Sequence, residues 1–141
     1  MIYPATRLIA AELEQNGIKY RVEDGDSRSK VTVGYNCNNI SNILVEFIST
    51  NDGNAVAVRL FGLVRTPAEK RNAVLNQLNA LNNSYRFVAF CLDSDNDVNM
   101  TYDFATNTSS DCLGASCFEM LQRFVNIADE AYPEIMKALW S

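Results

Sequence analysis

Histidine is missing from this 141-residue chain, and that one absence removes a large share of enzymology. Without imidazole there is no Ser-His-Asp triad and no Cys-His pair. Cysteine is sparse as well. Cys37, Cys91, Cys112 and Cys117 form no C-x-x-C pair, and no local sequence supplies any of them with an activating base. Cys91 and Cys117 fall in apolar patterns and read as buried, inert thiols, and four scattered cysteines with no histidine make a poor zinc site. The six glycines make neither G-x-G-x-x-G nor G-x-x-x-x-G-K-[ST], so no phosphate-cradling loop is signalled. No cofactor and no catalytic residue are expected, and the chain reads as a non-enzyme.

Basic residues are also short: 12 Lys and Arg against 17 Asp and Glu give a net charge of -5 and a pI near 4.6. A nucleic-acid partner needs clustered cations, and Arg59, Arg65, Lys70 and Arg71 are few and interrupted by Glu69. No apolar run approaches the roughly 20 residues of a membrane span, and the N-terminus lacks a basic segment followed by a long apolar one. The chain is expected to be cytoplasmic, with neither membrane nor nucleic acid as partner. No Pro-, Gly- or Ser-rich stretch marks a linker, so a single domain over residues 1–141 is expected.

What is present is organised around Thr66 to Asn83. Thr66, Pro67 and Glu69 form a T-x-x-E capping box with Pro at the first helical position, which predicts a helix starting there. Val74, Leu75, Leu78 and Leu81 make its apolar arc. Asn72, Asn76, Asn79 and Asn83 line another side. Ahead of it, Pro4 to Asn16 reads as an amphipathic helix stopped by Gly17. Strands are expected over Ile18–Glu23, Lys30–Asn36, Asn42–Thr50 and Ala55–Val64, the last two joined by a turn at Asn51 to Asn54. Asn42–Thr50 is apolar on both faces, which places it centrally. A second hairpin, Tyr85–Leu92 with Val98–Phe104, follows. A helical stripe from Cys117 to Leu139 ends the chain, with a kink or break expected near Tyr132 because of Pro133. The order α-β-β-β-β-α-β-β-α lacks β-α-β alternation and predicts an α+β fold, an antiparallel sheet with helices packed against it.

Three features invite a functional reading. Asp93, Asp95 and Asp97 alternate as in a calcium loop, but the sixth and twelfth positions hold Val98 and Phe104 where Gly and Glu belong, so a solvated hairpin tip is the expectation. Asn72, Asn76, Asn79 and Asn83 either form a plain solvent face or offer donors and acceptors without charge, suited to another backbone, either a neighbouring strand or a partner chain. Trp140 either closes the core, which its place in the stripe favours, or faces a partner.

The stretch Val58 to Phe104 carries a strand leading through Pro67 into a helix with an LN-x-LN pattern at Leu75 to Asn79, then an aromatic-bearing hairpin. In this it resembles the YbjN-domain family of bacterial proteins, which share the type III secretion chaperone-like fold and are labelled sensory transduction regulators. The resemblance implies a compact α+β unit, often homodimeric, of a kind used elsewhere to bind a segment of another protein. It brings no catalytic residues. The expected function is a non-enzymatic, chaperone-like or regulatory adaptor, dimeric with itself and binding an unidentified protein partner. The alternative is a sensing module holding a small molecule between the sheet and the terminal helix, among Tyr, Phe and Met side chains.

Overall fold

The computed structural model describes residues 2–50, 55–106 and 112–141. The elements are α1 (Pro4–Gln15), β1 (Arg21–Asp24), β2 (Arg28–Tyr35), β3 (Ile43–Thr50), β4 (Ala55–Arg65), a 3-10 turn (Ala68–Lys70), α2 (Arg71–Ser84), β5 (Ala89–Leu92), β6 (Asp97–Ala105) and α3 (Leu113–Trp140). This is the expected order and an α+β fold. The strands form one antiparallel sheet in the order β1-β2-β3-β4-β6-β5. The expected turn at Asn51–Asn54 lies outside the described residues, as do residues 107–111 ahead of α3.

Alternation sets the dry face of the sheet. Val31 and Val33, Val45 and Phe47, Val56 and Val58, and Met100 are buried and share that face by register. Against it pack Ile9 and Leu13 of α1 and Cys117, Leu121, Phe124 and Ala128 of α3, all buried. Where α1 meets the strand ends, Thr6 bonds both Ser29 and Ser49, so these buried hydroxyls are satisfied. Gly17, at φ +71°, ends α1 as the sequence implies, with the Ile18 N–H returning to the Leu13 carbonyl at 2.9 Å.

The outer face stays wet. β3 is interior to the sheet, as expected, but not because both of its faces are covered: Leu44 is 54% exposed. Ion pairs decorate this face, with Lys30 between Glu23 and Glu46, and Arg59 on Asp103 at 2.7 Å. Cys91 lies here too, opposite Asn99, and is exposed, so the expectation of a buried thiol fails. It occupies the outward position of a strand covered on one side.

The helix start also differs. α2 begins at Arg71, and the hydroxyl of Thr66 is buried with no partner among the described residues, so the capping box is not made. Its backbone N–H instead donates to the Asn96 carbonyl at 2.8 Å, prolonging β4, and extended Pro67 and the 3-10 turn intervene. Arg71 bonds the Asp93 carbonyl and the Asn96 side chain, docking the β5–β6 turn on the helix start. The apolar arc is Val74, Leu78 and Leu81, while Leu75 is exposed. α3 runs through Pro133 without a break, and Asn39 takes the Asp129 carbonyl that the proline cannot serve. Its last turn leaves Trp140 82% exposed, so this residue does not close the core. The buried stripe ends at Ile135. No described helix is long and apolar enough to cross a membrane.

Candidate functional site

β5 starts later than the apolar run from Tyr85 implies, and the reason lies at Phe87. The Val88 N–H donates to the Arg86 carbonyl at 2.8 Å across Phe87, whose φ is +72°. This is a γ-turn of the rarer, positive-φ kind. For a bulky L residue it is an outlier worth on the order of 1–3 kcal/mol of strain. Burial offsets little of this strain, since Phe87 remains 55% exposed. The turn throws its ring over β6, edge-on to Tyr102 at 5.9 Å, and Tyr102 stacks on Phe104 at 5.5 Å. From α3 the Arg123 guanidinium lies 5.9 Å from the centre of the Phe87 ring.

Phe87 divides a trough between α3 and the β5–β6 hairpin. One lobe, about 240 Å³, is walled by Phe87, Tyr102, Phe104, Ser116, Glu119, Met120 and Arg123. The other, about 280 Å³, is walled by Arg86, Phe87, Val88, Met120, Arg123, Asn126, Ile127 and Glu130. The α3 positions recur at spacings of three and four, so one helix face forms the whole wall. From Ser116 to Glu130 that wall is about 21 Å long at 1.5 Å per residue. Arg123 pairs with Glu119 at 2.8 Å. Glu130 accepts the Tyr85 hydroxyl at 3.1 Å, and burial followed by this carboxylate raises the Tyr85 phenol above its ordinary value.

Both edges of the sheet are blunted. β1 is four residues long, exposed throughout and charged at Arg21, Glu23 and Asp24. On β5 the outward backbone groups of Phe90 are taken by Asn82, whose carbonyl accepts the Phe90 N–H at 2.7 Å while its amide donates to the Phe90 carbonyl at 3.0 Å. Neither edge therefore presents a long unpaired strand, which leaves the trough as the candidate site.

A family model described as "Putative bacterial sensory transduction regulator" matches residues 7–137. The chain belongs to the YbjN family. A crystal structure of an uncharacterized protein from Methanothermobacter thermautotrophicus is similar to it, with a TM-score of 0.57 and 16% identity over 96% of each chain. At that identity the likeness shows a shared fold. No curated protein matches the chain.

Within this YbjN domain the residues singled out from sequence lie away from the trough. Asn72, Asn76, Asn79 and Asn83 are exposed on α2, and neither they nor Trp140 line either lobe. The amide-to-backbone chemistry expected of the asparagine stripe does occur, at Asn82, one position off the stripe and four residues after buried Leu78. Attention to the polar residue flanking the apolar arc would have found it. Asp93 spends its carboxylate inside its own turn, accepting from the N–H groups of Asp95 and Asp97 and from the Asn99 amide, and these bonds hold its pKa below the ordinary value. No group of three acidic or cysteine side chains among the described residues is placed to hold a metal. Burial pushes the Cys117 thiol up to about 12, which suits an inert core residue.

Proposed function

We propose that this YbjN protein is a non-enzymatic regulatory adaptor of the cytoplasm that binds a segment of a partner protein along the α3 trough. The observation that carries the reading is the strained, half-exposed Phe87 standing over an aromatic-lined groove about 21 Å long. An extended segment of about six residues spans that length. A sensing module for a small molecule is the second reading, favoured by the Tyr102, Phe104 and Met120 lining between sheet and helix. Its weakness is shape, because Phe87 splits the space into two open lobes of about 240 and 280 Å³, each at the lower bound of roughly 300 Å³ for small-molecule pockets.

The test is capture from cytoplasm with tagged wild type and Phe87→Ala as parallel baits, followed by truncation of the captured protein and titration of purified pieces. A stoichiometric partner reduced to one short segment, and lost with Phe87→Ala while that variant still melts cooperatively as a folded protein, is expected. Capture indifferent to Phe87, or a co-purified small molecule displaced by that substitution, overturns it. The adaptor is further proposed to act as a homodimer, for which exposed Leu44 and Phe61 offer apolar surface. Sedimentation showing only the 15.8 kDa species across micromolar concentrations rejects that part.

A further inference from the structure

The two lobes differ in chemistry. Tyr102, Phe104, Met120 and one side of the Phe87 ring make the first largely apolar. The second presents the guanidinium groups of Arg86 and Arg123 against one carboxylate, Glu130, which is already engaged by the Tyr85 hydroxyl. By its lining this recess carries one positive charge in excess, in a chain of net charge -5, with Arg86 unopposed and Arg123 held by Glu119 from the other lobe. Arg123 lies on the ridge between the lobes, and its i,i+4 pair with Glu119 is exposed at both ends. Pairs of that kind hold weakly, so a better-placed carboxylate can take the guanidinium over. A basic side chain would meet two cations.

We propose that the trough recognises an acidic partner segment in a fixed direction, with a large apolar side chain in the Tyr102–Phe104 lobe and an Asp or Glu carboxylate on Arg86 and Arg123. This rests on the partner-segment reading above. The middles of the two stretches of α3 wall are five to six residues apart, or about 8 Å. An extended chain covers that in about two to three residues, which sets the spacing of anchor and acid. Phe87 stands between them as the divider.

The experiment is selection of a random phage-displayed peptide library on the wild-type protein with counter-selection on Phe87→Ala, then titration of synthetic winners by fluorescence polarisation. Enriched peptides carry the apolar-acidic pair at that spacing. Arg86→Glu and Arg123→Glu each weaken them about tenfold or more, and added salt weakens them too. Glu119→Gln, which releases Arg123, tightens them. Thermal melts of each variant separate loss of binding from loss of fold, and Glu119→Gln reports a gain that misfolding cannot imitate. Winners that depend on Phe87 but are basic or uncharged overturn the acidic assignment and leave segment binding standing. An absence of any Phe87-dependent winner overturns both.

Discussion

Asn39 grips Asp129 at two points: its backbone N–H donates to the carboxylate at 2.6 Å, and its side-chain amide donates to the backbone carbonyl at 3.0 Å. That carbonyl lies four residues before Pro133, which has no N–H to offer it. Asn39→Ala removes only the amide bond and costs about 1 kcal/mol, since the site is exposed and water can replace the donor. In a Pro133→Ala background the helix supplies its own N–H and the same change costs less. Urea unfolding of the four proteins gives the coupling, and strict additivity would refute this account of the proline.

Asn82 and Asn79 sit three residues apart on α2 and should respond oppositely to alanine. Asn82→Ala strips the outward groups of Phe90 of their partner and is expected to cost about 1–2 kcal/mol. Asn79→Ala gains helix propensity, a few tenths of a kcal/mol. Equal effects in denaturant melts would show that the edge clasp is not stabilising.

Acid should act through Asp93. Three N–H donors favour its ionised form in the fold and depress its pKa below the ordinary 3.8. The stability it contributes is therefore complete above the ordinary value and drains away as pH falls through the depressed folded value. Urea midpoints taken from pH 6 down to about pH 2 should fall less steeply below about pH 4 for Asp93→Asn than for the wild type. Parallel curves would place the acid sensitivity elsewhere.

Phe87→Gly tests the strain directly. Glycine adopts positive φ without penalty, so the relief should offset most of the packing lost with a half-exposed ring. A change in unfolding free energy smaller than about 1 kcal/mol is expected, with segment binding abolished. A large destabilisation would mean that the ring is a structural element.

Gly114 marks where α1 and α3 touch. A Cβ there would come within 3.0 Å of the Glu12 Cβ and the Leu8 carbonyl, the latter being backbone that cannot swing aside. Gly114→Val is expected to cost about 2–3 kcal/mol by forcing the helices apart. A melting temperature unchanged from wild type would show that the contact yields.

Element order was legible in the sequence because the period-2 runs and the helical stripe of Cys117 to Ile135 point the same way as the tertiary packing. Two of the details that differ share a cause, a backbone group claimed by something distant. Thr66 gives its N–H to Asn96, so the local capping box loses. Pro133 is accommodated by Asn39, ninety residues away from Asp129. Cys91 looked buried because apolar neighbours say nothing of which sheet face is covered. The trough was foreseen in outline, as Tyr, Phe and Met between sheet and last helix, but Phe87 was not, because no sequence pattern announces an aromatic residue at positive φ.

α3 is held at Gly114 by α1 and at Asp129 by Asn39, and the trough, from Ser116 to Glu130, begins just past the first point and ends just past the second. Mechanically it is a beam pinned at both ends. Two such contacts leave the wall less freedom than the bank opposite, so a guest chain would be accommodated mainly on that side. On that bank the exposed Phe87 ring stands between the lobes, and adjustment of the groove would fall first on it.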